Sequence, residues 1–115
     1  MEETCIFCRI AAGSIPARSA YEDDAVFAFH DIDPRAPVHV LLIPRKHVPS
    51  VNELNAADSE IIGKLYLAAR KLAQELGVSN SGYRLVMNCG EDAGQSVDHM
   101  HLHMLGGRSL KWPPG

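Results

Sequence analysis

The stretch Asn88–Gly107, NCGEDAGQSVDHMHLHMLGG, carries half of the six histidines of this chain, His99, His101 and His103, at alternate positions. In an extended strand, side chains two apart point to the same face, so the three imidazoles form one row while Asp98, Met100, Leu102 and Met104 line the other face. A helix would rotate successive histidines by about 200° and scatter them around its circumference. The strand reading is therefore preferred, with chemistry on one face and mostly core on the other. Immediately upstream, Gly90-Glu91-Asp92-Ala93-Gly94-Gln95-Ser96 is a loop with two glycines, an amide and a hydroxyl. Backbone N–H groups freed by glycine conformations, together with the Ser96 hydroxyl, suit an anion such as phosphate.

Outward from this stretch, Ser81-Gly82 turns into Tyr83–Met87, a strand that delivers Asn88 and the loop. Before it, Ile61, Ile62, Leu65, Ala68, Ala69, Leu72, Ala73 and Leu76 form one apolar helical stripe, with Asp58 as the expected cap and Gly77 as the stop. That helix reads as packing. His39–Ile43 is nearly all apolar and predicts a buried strand. Two proline-bounded loops flank it, 31–37 before and 44–49 after. Ala20–Glu22 and Ala25–His30 read as a hairpin turned by Asp23-Asp24.

At the start of the chain, Ile6, Phe7 and Ile10 have helical spacing over Thr4–Ala12, and this short helix carries Cys5 and Cys8. The pair lacks the preceding strand of a redox Cys-x-x-Cys, which leaves metal ligation or two inert thiols. Five short strands and two helices predict an α+β domain on an antiparallel sheet, one domain over residues 1–115. Charged residues make up 22% and the net charge is −3, which argues against nucleic acid as a partner. No run approaches about 18 apolar residues, so no membrane partner is expected either. Three cysteines are too few and too odd in number for a disulfide framework, and a cytoplasmic location is expected.

The run His99-Met100-His101-Leu102-His103-Met104-Leu105, with Asn88 upstream, Gly94-Gln95-Ser96 before it and Trp112-Pro113-Pro114-Gly115 at the end, resembles the histidine triad (HIT) family. It is similar to the nucleotide-binding branch whose members hydrolyse purine nucleoside phosphoramidates. The resemblance implies a HIT-like fold whose five-stranded sheets join across a homodimer. It implies His101 as the nucleophile that forms a nucleotidyl intermediate. Phosphate contacts would come from Asn88, Gly94, Gln95, Ser96 and His103, and ribose contacts from Asp31. Ile6, Phe7, Ile10, Ile15, Phe29 and Ile32 would form the purine slot, though their own chemistry reads equally as core. His39 matches a supporting histidine, and Trp112 lies in a tail directed toward the neighbouring subunit's site.

Cys5, Cys8, His47 and His99 reproduce a structural zinc constellation that other family members carry, and no cofactor is implied for catalysis itself. The expected activity is hydrolysis of the phosphorus–nitrogen bond of adenosine 5′-phosphoramidates. Two rivals stand beside it: a nucleotide sensor on the same fold without turnover, and a zinc or iron enzyme using all three triad histidines as ligands.

Overall fold

The structure is a computed structural model and describes residues 4–115. Helix α1, Ile6–Ala11, begins one residue after Cys5, whose extended backbone and sulfur cap it: the Cys8 N–H donates to Cys5 Sγ at 3.3 Å. Strands β1 (Ser19–Glu22) and β2 (Val26–His30) form the expected hairpin. Asp23 holds the turn, because its Oδ1 accepts from the N–H groups of Ala25 and Val26, each at 2.8 Å.

Strand β3 (Val38–Pro44) is the centre of the sheet, pairing antiparallel with β2 on one side and β5 (Leu102–Gly106) on the other. Strand β4 (Tyr83–Val86) pairs with the far side of β5. The order β1-β2-β3-β5-β4 is antiparallel throughout and, with the two helices, makes the α+β architecture expected from the sequence. Period-two alternation then splits the core into two layers. Val26, Ala28, Val40, Leu42, Leu102 and Met104 face helix α2 (Ser59–Glu75), which buries Leu65, Ala68, Ala69, Leu72 and Ala73 against them. Phe27, Phe29, Leu41 and Ile43 face the other way and pack on Cys5, Phe7, Cys8 and Ile10 around α1.

Two local expectations are corrected. The triad strand was expected to contain all three histidines, yet β5 starts only at Leu102. Extending its register from Leu42↔Leu102 would set Met100 opposite Pro44, which has no N–H to continue the ladder. The Met100 N–H donates instead to the Val48 carbonyl at 2.7 Å. The alternation survives this break, since Met100 is buried in the α2 layer while His99 and His101 both lie against Phe7 in the other.

The second correction concerns Asp58, which does not cap α2. It reaches back to accept from the Asn55 N–H at 3.1 Å, closing a capping box on the 3₁₀ turn Ala56–Asp58, and its other oxygen takes Lys46 Nζ at 2.6 Å. Local reciprocity between Asn55 and Asp58 outweighs the forward cap.

Candidate functional site

The face of the sheet that carries α1 also carries the histidines. His103 stands opposite Leu41 in β3 and Val86 in β4, and His39 lies diagonally across from it. Their rings form a chain of contacts, with centroids 5.0 Å apart for His101 and His103 and 5.2 Å apart for His39 and His103.

Hydrogen bonds fix which nitrogen of each ring carries the proton. The Arg35 N–H donates to His39 Nδ1 at 3.0 Å, so neutral His39 is protonated at Nε2. That Nε2–H donates to His103 Nδ1 at 3.0 Å, and Asp31 Oδ2 lies 3.4 Å from the same Nε2. His103 therefore keeps its own proton on Nε2, as an outward donor. His101 has the opposite tautomer: its Nδ1–H donates to the His99 carbonyl at 2.8 Å, so Nε2 carries a lone pair. The arrangement sets a nucleophilic nitrogen beside a ring that offers a hydrogen bond.

Burial keeps the donor ring neutral. His103 is held down to about 4, chiefly by desolvation, with His101 and His39 pushing the same way and Asp31 opposing. His39 is also lowered, mainly by desolvation, with Arg35 adding to the shift and Asp31 opposing it. Beside Nε2 of His39, Asp31 is anchored by accepting from the Asp33 N–H at 2.8 Å. Asp31, His39 and His103 also bring one potential ligand atom each within 4.8 Å of one another. The hydrogen-bond chain already accounts for that convergence.

The loop before the triad is a closed unit. Gln95 Oε1 accepts from the Gly90 N–H at 3.0 Å, and its Nε2 donates to the carbonyls of Pro49 at 2.7 Å and Val97 at 3.0 Å. The N–H groups of Gly94 and Gln95, expected to face phosphate, donate to Glu91 and Gly90 carbonyls. Gly94 permits this with φ of +80°. Ser96 is exposed at the end of the loop and lines a concavity of about 390 Å³ with Cys5, Ile6 and His47. Asn88 lines a second one, of about 320 Å³, with His39 and His103.

Of the six residues expected around a purine, Phe7, Ile10 and Phe29 are buried and Ile15 packs on them. Ile6 is half exposed and Ile32 is fully exposed, so they form no closed slot with the other four. Phe7 does more than line a pocket, because its ring stands perpendicular to His101 at a centroid distance of 5.1 Å. Trp112 projects into solvent.

Cys5, Cys8, His47 and His99 bring their ligand atoms within 4.8 Å of one another. His99 Nδ1 lies 3.3 Å from Cys5 Sγ, 3.5 Å from Cys8 Sγ and 3.2 Å from His47 Nδ1, while Cys8 Sγ lies 3.4 Å from His47 Nδ1. A tetrahedron with zinc–sulfur bonds of about 2.3 Å and zinc–nitrogen bonds of about 2.0 to 2.1 Å has nitrogen–nitrogen and nitrogen–sulfur edges of roughly 3.3 to 3.6 Å. The edges match that size. His99 Nε2–H donates to the Pro44 carbonyl at 2.8 Å, which turns the Nδ1 lone pair toward the cluster, as an outer partner of a metal ligand does. Burial holds His99 down to about 4, with His47 and His101 adding to the shift, so the ring is neutral and able to ligate. The four residues fit a closed cation site with no position for substrate.

The Gln95 bond to Pro49 and the His99 bond to the Pro44 carbonyl had no signal in the sequence, because each rests on a backbone group brought in from a distant segment, and the Arg35 N–H reaches His39 through the conformation of the loop between them. The Phe7 contact was partly legible, since Phe7 lies between Cys5 and Cys8 in the sequence and those cysteines share a cluster with His99.

A model of the HIT domain matches residues 12–110 of the chain. An uncharacterised HIT-like protein of Synechocystis is 48% identical over 115 residues, which is the full length of both chains. Among solved structures, a HIT family hydrolase from Legionella pneumophila is 51% identical with a TM-score of 0.96, covering 97% of this chain and all of that one. A HIT family hydrolase from Clostridium thermocellum is 45% identical with a TM-score of 0.94, covering 96% of each chain.

Proposed function

The chain belongs to the histidine triad family, and from that premise we propose that it is a hydrolase that opens the phosphorus–nitrogen bond of adenosine and related purine nucleoside 5′-phosphoramidates. The observation that carries the reading is the pairing of opposite tautomers: His101 with its lone pair on Nε2, and His103 with its proton there. The similarity to solved HIT family hydrolases supports the hydrolytic class.

In the first step the His101 Nε2 lone pair attacks the α-phosphorus, a phosphorus–nitrogen bond forms to the enzyme, and the substrate's phosphorus–nitrogen bond breaks. The leaving nitrogen takes a proton from solvent and departs as an amine. Water then attacks the same phosphorus, its second proton returns to solvent, and the nucleoside monophosphate leaves His101 free. His103 Nε2–H donates to a phosphoryl oxygen in both steps, and Asn88 and Ser96 approach the phosphate from either side of the row. Asp31 accepts from the ribose hydroxyls, a role for an acceptor-only group facing a diol. The purine lies against the apolar surface of Phe7, Ile10, Ile15 and Phe29, with Ile6 and Ile32 closing over it on binding. Gly94 and Gln95 act by shaping the loop that presents Ser96.

The Cys5, Cys8, His47 and His99 cluster is assigned to a structural zinc, which when bound would contribute fold stability through four closed bonds. The free outer edge of β4 is the place for a second copy, which would join two five-stranded sheets and bring Trp112 to the neighbouring site. No helix among the described residues is long and apolar enough to cross a membrane.

Turnover of adenosine 5′-phosphoramidate by the purified protein, followed by release of adenosine monophosphate, tests the reading. Rates at ordinary enzyme levels are expected. Tight nucleotide binding without turnover would replace it by a sensor, and activity lost on metal removal with His101 adducts absent would replace it by metal-ligated chemistry.

A further inference from the structure

Neither step of the reaction uses a sulfur, yet two cysteines stand close behind the nucleophile. Cys5 Sγ and Cys8 Sγ lie 3.3 and 3.5 Å from the same nitrogen, His99 Nδ1, and within 4.8 Å of each other. The two are not equivalent. Cys5 is 9% exposed and lines the concavity of about 390 Å³ with Ile6, His47 and Ser96, whereas Cys8 is 2% exposed and does not line it. Cys89, the third cysteine of the chain, is outside the cluster. The missing strand before the pair argues against an oxidoreductase motif, but it has no bearing on whether an oxidant can reach Cys5.

The local backbone leaves room for the two sulfurs to join. Residues three apart in a regular helix hold their Cβ atoms about 5 to 6 Å apart, and a disulfide needs about 3.5 to 4.5 Å. Cys5 stands outside the helix, its backbone extended at φ −83° and ψ 118°. The Cys8 N–H donates to its Sγ at 3.3 Å, which folds the side chain over the first turn. Joining the sulfurs therefore calls for a shift of residue 5 and the first turn of α1, while the sheet stays in place. Phe7 lies within that turn. Its ring stands edge-on to His101 at a centroid distance of 5.1 Å and to His99 at 6.0 Å, so a displacement of the turn reaches the nucleophile directly.

We propose that Cys5 and Cys8 are an oxidation site: hydrogen peroxide entering at Cys5 joins the pair as a disulfide, and the rearranged first turn withdraws Phe7 from His101 and weakens nucleotide binding. The Cys5 sulfur attacks one peroxide oxygen, the oxygen–oxygen bond breaks, and a sulfenic acid forms as the other oxygen leaves as water. The Cys8 sulfur then attacks the Cys5 sulfur, the sulfur–sulfur bond forms, and the sulfur–oxygen bond breaks with loss of a second water. The pair loses two electrons and the peroxide gains them, so two thiols and one peroxide give one disulfide and two waters. Where the sulfurs hold a cation in place of their protons, solvent supplies both protons, and His47 and His99 are the only ligands left. The oxidation stands on the thiols themselves, and only its consequence at His101 rests on the nucleotide reading.

The test exposes the purified reduced protein, with the metal it carries, to hydrogen peroxide up to one equivalent per chain. Both cysteines fall in one tryptic peptide, residues 1–9. That peptide should lose two hydrogens while the Cys89 peptide stays unmodified. Adenosine monophosphate should bind about tenfold more weakly, as loss of one packed contact would give. The melting temperature should fall, and zinc should appear in solution in step with the disulfide. Dithiothreitol with added zinc should restore affinity, melting temperature and metal content together. Cys8→Ser should stop at a sulfenic acid on Cys5 that dimedone traps, and Cys5→Ser should leave Cys8 reduced.

Oxidation of Cys89 ahead of the pair overturns the proposal, as does a disulfide that joins Cys5 or Cys8 to Cys89 or to another chain. So does a Cys5–Cys8 disulfide that leaves monophosphate affinity unchanged. All three are read on the wild type, so a variant that fails to fold does not shield the proposal. A disulfide formed without zinc release removes the structural-zinc assignment alone. A reduced protein that binds no monophosphate removes the nucleotide reading, and a disulfide without effect on the melting temperature then overturns this proposal separately.

Discussion

The Nδ1–H of His101 donates to the backbone carbonyl of His99 at 2.8 Å, so a residue of the cysteine–histidine cluster fixes the tautomer of the proposed nucleophile. Replacing His101 tests the chemistry most directly. His101→Ala should still bind adenosine monophosphate but lose phosphoramidate hydrolysis by several orders of magnitude, because the covalent route is removed outright. Acid-quenched wild-type reactions analysed by peptide mass spectrometry should carry an adenylyl adduct on the 99–103 segment. Turnover near the wild-type rate in the variant would rule out His101 as nucleophile.

His39 acts through His103. His39→Ala removes the Nε2–H that holds the His103 proton on its outer nitrogen, and kcat should fall by about ten- to hundredfold with a much smaller change in monophosphate affinity. Nitrogen-15 shifts of His103 should show one tautomer in the wild type and a mixture in the variant. An unchanged tautomer with lowered kcat would assign His39 to packing instead.

Stability should depend on pH through the buried imidazoles. His103 titrates at about 4 in the folded chain against an ordinary value of 6.5, and His39 is lowered in the same direction. Between those two values the unfolded chain binds more protons than the folded one, so stability rises with pH across that window. The contribution is complete above 6.5 and is lost as pH falls toward 4. Melting temperatures should decline from about pH 7 to about pH 4.5, less steeply in His103→Gln, and a variant slope equal to the wild type would refute the assignment.

Metal analysis of protein purified under reducing conditions without chelator should find close to one zinc per chain. Cys5→Ser combined with Cys8→Ser should lose it and lower the melting temperature by roughly 10 °C or more, while the His101 adduct stays detectable. Substoichiometric zinc in the wild type, or a resting Cys5–Cys8 disulfide, would count against the site.

Light scattering at micromolar concentration should report twice the 12.6 kDa chain mass. Removing residues 112–115 should leave the protein a dimer and lower kcat/KM by about tenfold, as loss of a single contact from the tail would do. A monomer with full activity would refute both the assembly and the role of Trp112.

Much of this fold was legible because its signals are periodic. The alternation in 99–104 separated imidazoles from Met100, Leu102 and Met104, and the stripe from Ile61 to Leu76 marked the helix that covers them. What escaped depends on backbone partners, some far away in the chain and some chosen by local loop conformation. Nothing near His99 announces that Pro44, opposite Met100, ends the ladder and that its carbonyl accepts from the His99 ring. The resemblance assigns the loop amides near Gly94 and Gln95 to phosphate; what it does not announce is that these N–H groups donate to the Glu91 and Gly90 carbonyls and that the Gln95 side chain bonds Gly90, Pro49 and Val97. Ile32 is placed in a slot only by the family resemblance, and the proline-bounded loop before β3 leaves its side chain fully exposed. Asp58 had two partners available, and its neighbour Asn55 won over the helix that follows.

Helix α1 has only six residues, far below the length at which a helix persists by itself in water. Its persistence is borrowed from the contacts of Cys5 and Cys8 with His47 and His99 and from the packing of Phe7 and Ile10. The amides of Arg9 and Ala12, which donate to the Cys5 and Cys8 carbonyls, should therefore exchange with deuterated solvent through an opening that belongs to α1 and not to the whole sheet. Their exchange rates gauge how firmly Phe7 is pressed on His101. Deuterium uptake in the first dozen residues, read against metal occupancy, would thus measure the rigidity of the nucleophile without any substrate present.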